Sequence, residues 1–153
     1  MLCKENDQTL KLLVMYGSEH NFSAGMDITE LLPTNGREKI KSLINLRENI
    51  ITRIERLHCP TIAILEGYTI GYGIALALAF DLRVGTTQSK ISIPAGKVGL
   101  LEPYGFTSKL VSLIGPSKLL DLLYTCDFID GSNAFRIGLL DYLVNPDELD
   151  SLY

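Results

Sequence analysis

Two segments, 22–27 and 67–73, carry residue types in an order that can do chemistry. They read Phe22-Ser23-Ala24-Gly25-Met26-Asp27 and Gly67-Tyr68-Thr69-Ile70-Gly71-Tyr72-Gly73, and each leaves an apolar run, turns through small residues and enters a helix start. The first N–H groups of a helix have no intrahelical acceptor and lie at the positive end of its dipole. Two such amides converging on one carbonyl oxygen form an oxyanion hole, where each donor contributes about 2.7–4 kcal/mol to a transition state that develops negative charge. The same glycines also serve plain tight turns. On spacing alone the turn reading leads. A dinucleotide reading fails: Gly71-Tyr72-Gly73 begins like G-x-G-x-x-G, but the third position is Leu76 and no acidic residue ends a strand about 20 residues on.

Other polar residues fit structural roles first. Asp27 is placed to cap a short helix after Met26, which also fixes the amide beside it. His58, at the end of a helical stretch, suits the negative end of the dipole better than a base's position. His20 precedes Phe22 in a polar turn. Tyr68 and Tyr104 can offer a phenol to a pocket, with packing as the default. Arg47, Arg53 and Arg56 can meet phosphates, but on an amphipathic helix they read as its wet face.

The elements that must position these residues follow from periodicity. Residues 10–16 form a short apolar run closed by Gly17 and Ser18, a buried strand. Over 37–57, Ile40, Leu43, Ile44, Ile50, Ile51, Ile54 and Leu57 recur at steps of about three and four, predicting an amphipathic helix that Pro60 ends. Residues 61–65 are apolar and rich in β-branched types, a second strand. The glycine-bearing stretch 67–73 reads as a turn into a helix over 74–80 that is apolar on every side and therefore central. Strands are predicted over 82–85 and 90–93, a loop over 94–104, and helices over 106–114 and 117–125 divided by Gly115-Pro116. A helical turn over 132–137 and an apolar run over 139–144 complete an α/β pattern with mainly parallel strands.

Composition limits what such a chain does. It has 153 residues, a net charge of −4, and 46% hydrophobic residues, which fit one globular domain over 1–153. Its fourteen Lys and Arg are scattered, which argues against nucleic acid as a partner. The most apolar stretch, 71–80, is about half of the roughly 20 residues a membrane span needs, and the residues Met1 to Asp7 do not have the basic and unbroken apolar regions expected of a secretory leader. Cys3, Cys59 and Cys126 are odd in number and widely spaced, as free thiols in a reducing compartment are, so the expected location is cytoplasmic, with no metal or redox cofactor.

The segment 22–28, the run Cys59-Pro60-Thr61-Ile62-Ala63-Ile64-Leu65-Glu66-Gly67 with Gly71-Tyr72-Gly73, and Phe80-Asp81-Leu82-Arg83-Val84 together resemble the crotonase (enoyl-CoA hydratase/isomerase) superfamily. Val98-Gly99-Leu100, Leu113-Ile114-Gly115 and Gly138-Leu139-Leu140-Asp141 continue the resemblance in order over about 10–149. It implies a spiral of ββα turns without the family's usual first strands and last helical trimerisation region. It also implies an acyl-CoA thioester as substrate, with coenzyme A entering only as part of it, and a homo-oligomer built on trimers where the end regions are supplied. A fragment of a longer chain and a complete short one both fit.

By the resemblance, the amides of Met26 and Tyr72 polarise the thioester carbonyl, and Ala24, Gly25, Asp27, Gly71, Gly73, Ala75, Ala95 and Leu100 line the substrate. Tyr72 departs from the usual glycine, but only its N–H is required. The two glutamates of the family's hydratases fall at Ala75 and Ala95, which cannot move a proton, so hydration by that pair is not expected. Glu102 remains, in the turn where some of the family's isomerases hold their single acid/base but one residue earlier than theirs; an exposed loop glutamate before Pro103 is the other reading. One carboxylate suffices to shift a double bond, removing a proton from one carbon and returning it to another. The leading reading is an enoyl-CoA isomerase using Glu102; the alternative is an acyl-CoA-binding or assembly subunit that has lost its catalytic acids.

Overall fold

The computed structural model describes residues 9–31, 36–99 and 104–149. In chain order the elements are β1 (Leu13–Tyr16), α1 (Arg37–Glu55), β2 (Thr61–Leu65), β3 (Tyr68–Ile70), α2 (Tyr72–Ala77), β4 (Leu82–Thr86), β5 (Lys90–Ser92), α3 (Tyr104–Thr125), β6 (Ile129–Asp130), α4 (Gly131–Arg136), β7 (Tyr142–Val144) and α5 (Pro146–Leu149), with 3-10 turns at Ile28–Leu31 and Pro94–Val98. One sheet has the order β1-β2-β4-β7 and is parallel throughout, while the other has the order β3-β5-β6 and is antiparallel only between β5 and β6. Successive strand pairs thus give one strand to each sheet before a helix returns the chain, a spiral of strand-strand-helix turns. The mainly parallel α/β architecture expected from the alternating pattern is present.

One hydrophobic core gathers side chains with almost no exposure from strands and helices, among them Leu65, Ile74, Ile91, Ile93, Leu110 and Leu139. Helix α2 is central because it presents Gly73, Ile74 and Ala77 to this core, and Leu78, Ala79 and Phe80 continue inward after it. Gly85 shows how close the layers come: a Cβ there would lie 2.4 Å from a Leu140 methyl.

Three elements differ from the sequence reading. The stretch 67–73 holds the strand β3, because its middle residue, Thr69, is fully buried and pairs with Ile91 of β5. The loop expected after Ile93 begins as a 3-10 turn. Helix α1 forms, but none of its residues is fully buried: Ile51 and Ile54 pack on the core while Ile44 and Ile50 stay exposed. The expected break in the long C-terminal helical stretch is present, with Gly115 at φ 76° and ψ 161° ahead of Pro116.

Arg83 ties the spiral together from inside. Only 5% exposed, it donates from Nε to the Leu139 carbonyl at 3.0 Å and from Nη1 to the Phe80 carbonyl at 3.0 Å, and its Nη2 pairs with Asp141. Asp141 also accepts the Arg83 backbone N–H at 2.8 Å. One cation therefore joins the end of α2, strand β4 and the approach to β7. Removing one partner of such a pair strands the other without compensation, at a cost of about 3–5 kcal/mol. Arg83→Ala is expected to lose about that much stability, read from the urea unfolding midpoint at unchanged slope.

Candidate functional site

The two small-residue segments are hydrogen-bonded to each other along their backbones. Phe22 N–H donates to the Glu66 carbonyl at 2.9 Å, Ser23 N–H to the Tyr68 carbonyl at 3.0 Å, and Ile70 N–H to the Ser23 carbonyl at 2.9 Å. Ser23 thus runs as a one-residue parallel bridge beside Thr69 of β3. The Ser23 hydroxyl then accepts the Gly25 N–H at 3.2 Å, turning the first segment over the second.

Two glycines permit this approach. Gly25 has φ +91°, and a Cβ there would lie 2.7 Å from the Ile70 carbonyl oxygen and 3.7 Å from the Tyr72 nitrogen. A Cβ on Gly73 would lie 2.8 Å from that of Ser23. Tyr72 is the first residue of α2, after Gly71 at φ 52°. The Tyr72 amide therefore lies close to the residue preceding Met26. Among the described residues neither the Met26 nor the Tyr72 amide donates to a protein acceptor.

Beyond Met26, Asp27 closes the turn. Its Oδ1 accepts the Thr29 N–H at 2.9 Å and the Thr29 hydroxyl at 2.7 Å, and its carbonyl accepts the Glu30 N–H at 3.1 Å. These bonds hold the carboxyl below its usual range, first through the Thr29 hydroxyl and then the Thr29 amide. Asp27 is exposed and its carboxylate is turned into this cap, where it fixes the backbone that follows Met26.

A third chain segment reaches the site, which the sequence reading assigned to solvent. Arg47 of α1 lays its guanidinium over the Tyr72 ring, 4.1 Å from the centroid, and its Nη1 contacts the Met26 sulfur at 3.3 Å. The Tyr72 hydroxyl donates back to the Arg47 carbonyl at 3.2 Å. The wet-face assignment of Arg47 is thereby corrected: the aromatic ring at position 72 offers a π-face that draws the cation inward. The departure of Tyr72 from the usual glycine was the available signal. Burial pushes the Tyr72 phenol up, partly offset by the Arg47 charge and hydrogen bond.

The remaining residues divide clearly. Ala24 is exposed, Gly71 and Ala75 are half-buried, and Ala95 is buried in the core at 5% exposure. Leu100 and Glu102 lie outside the described residues. His20 pairs through Nδ1 with Glu66 at 2.7 Å, at the outer end of the bridge between the segments. His58 is exposed, and Cys59 and Cys126 are free thiols. Tyr68 packs edge-on against Phe128, 5.7 Å between centroids, and the Lys90 ammonium lies over its ring.

Residues 2–152 match the profile of the enoyl-CoA hydratase/isomerase family. The chain belongs to that family. It is 34% identical over 145 residues to a crotonyl-CoA hydratase of Syntrophomonas wolfei, covering 94% of this chain and 55% of that one. An enoyl-CoA hydratase/isomerase family protein from Hyphomonas neptunium superposes with a TM-score of 0.84 at 32% identity, over 93% of this chain and 55% of that chain. Pseudomonas aeruginosa DspI does so with a TM-score of 0.88 at 26% identity, over 97% and 56%. The crotonase resemblance read from the motifs therefore holds, and the chain spans about half the length of these relatives. Among the described residues of this enoyl-CoA hydratase/isomerase family member, no helix is long and apolar enough to cross a membrane.

Two predictions follow the geometry. Gly25→Ala must both occupy a positive φ and push on a backbone carbonyl, so it is expected to lower stability by roughly 1–3 kcal/mol in thermal unfolding. The Tyr72 phenol should ionise above its ordinary value of 10.0, and Tyr72→Phe should remove a late step from the ultraviolet titration. The folded form holds that proton more tightly than the unfolded form. The resulting stabilisation is complete below about pH 10 and declines as pH rises through the folded-state value.

Proposed function

We propose that the chain binds an acyl-CoA thioester and shifts the double bond of an enoyl group, with the Met26 and Tyr72 amides polarising the thioester oxygen and Glu102 moving the proton. The observation that supports this reading most is the backbone bridge between segments 22–27 and 67–73, which brings the start of α2 against the turn at Gly25. An enolate formed on removing a proton next to the thioester puts its charge on that oxygen. Fixed N–H dipoles stabilise it without reorganising. Ala24, Gly25, Gly71 and Gly73 then serve by leaving backbone rather than side chains against the acyl group, and Ala75, Ala95 and Leu100 would complete the apolar surroundings.

In the proposed step Glu102 takes a proton from the carbon next to the carbonyl, electron density moves to the thioester oxygen, and the same carboxyl returns the proton to the far end of the allylic system. Atoms balance with no further reactant, and CoA stays attached throughout. Ala75 and Ala95 favour this over hydration, since neither can activate water or protonate carbon. Those alanines equally favour the second reading, an acyl-CoA-binding subunit without turnover.

Ultraviolet assay of the conversion of a 3-enoyl-CoA to its conjugated 2-enoyl isomer separates the two. Turnover in the parent that falls by about 10²–10⁴ in Glu102→Gln is expected for the proton carrier. Unchanged turnover removes Glu102 from the mechanism, while a parent that binds the thioester with no turnover identifies the binding subunit.

A further inference from the structure

Among the described residues no carboxylate neutralises the charge of Arg47. Its guanidinium contacts a thioether and an aromatic face. Its Nε is shut off from solvent and has no hydrogen-bond partner. A thioether sulfur is a weak acceptor. The Nη1 donor is therefore occupied by a contact that a better acceptor displaces readily, and the planar guanidinium fork matches a carboxylate with two parallel bonds. This cation stands over Tyr72 and against Met26, the two residues whose amides bracket the proposed thioester oxygen.

We propose that Arg47 receives a carboxylate carried by the acyl group, so that the site takes the monothioester of a dicarboxylic acid with CoA. This rests on the thioester reading above and names its substrate class. The carboxylate oxygens would take the Nη1 and Nη2 donors, releasing the Met26 sulfur, while the Tyr72 ring holds the guanidinium plane. Tyr72 thereby acts as a positioning residue for Arg47 as well as an amide donor. The aromatic residue at a position where only an N–H is needed, and the cation stacked on it, then have one explanation.

Calorimetric titration with pentanoyl-CoA, glutaryl-CoA and CoA itself tests this, since the two thioesters differ only in ending on a methyl or a carboxylate. The parent should bind glutaryl-CoA roughly 10- to 100-fold more tightly than pentanoyl-CoA. Arg47→Met, which keeps an apolar stem on Tyr72, should erase that preference, bringing glutaryl-CoA affinity down to that for pentanoyl-CoA. Arg47→Lys, which keeps charge and stem without the fork, should lower the preference severalfold and guards against a folding defect in the first variant. Equal affinity of the parent for both thioesters, or a preference kept in full by either variant, overturns the carboxylate assignment and leaves thioester binding standing. An equal loss for CoA itself places Arg47 on the phosphates and overturns it too. Failure of every CoA compound to bind overturns the thioester reading and this inference together.

Discussion

The site depends on a bridge one residue long. Ser23 joins β3 as though it were a strand, and the three backbone bonds from Phe22, Ser23 and Ile70 set the height at which one turn passes over the other. Backbone bonds of this kind tolerate almost no lateral error, because an amide and a carbonyl meet within a few tenths of an ångström or not at all. Side chains must therefore be kept out of the gap. Gly25 and Gly73 have no alternative that leaves the bridge intact.

The rest of the spiral holds the two strands that feed this bridge. β2 ends at Leu65, two residues before the turn at Gly67, and is covered by β1 on one side and β4 on the other. The Gly67 carbonyl accepts the Lys90 N–H and the Gly71 N–H donates to the Ser92 carbonyl, so β5 fixes both ends of β3. Asp81 does similar work behind α2, its carboxylate accepting the backbone N–H and hydroxyl of Thr61 at 2.8 and 2.9 Å. The helix that begins at Tyr72 is thus anchored at both ends to β2's neighbourhood, and its first amide has little freedom to tilt.

Much of this was legible in the residues. The strands at 61–65 and 82–85, the division at Gly115 and the cap at Asp27 follow from local rules: β-branched runs, a glycine-proline stop and a carboxylate ahead of a helix. The strand β3 was not, because its three residues are too few for a period and its partners, β5 and Ser23, are distant in sequence. The short helix α5 has a local signal of its own. Asn145-Pro146-Asp147-Glu148 puts proline in the first turn, and Glu148 reaches back to the Asn145 N–H at 2.9 Å. Arg47 was illegible for a different reason: helical spacing says which face a residue occupies, but a long side chain near the edge of that face turns toward whatever attracts it. Here the attraction is a ring on another element, 25 positions away.

The weak seating of α1 gives the Arg47 contacts a thermodynamic meaning. With no fully buried residue, this helix is held, among the described residues, by part of one apolar stripe, by the Glu55–Lys109 ion pair and by the clasp of Arg47, Tyr72 and Met26. Elements of that kind open well before the whole domain unfolds. The free energy of seating α1 is therefore shared with the site, and any ligand that engages Arg47 only in its docked position depletes the open population by mass action. Occupancy and helix docking become two readings of a single equilibrium, so slow amide exchange along α1 would register a ligand bound beside Gly25.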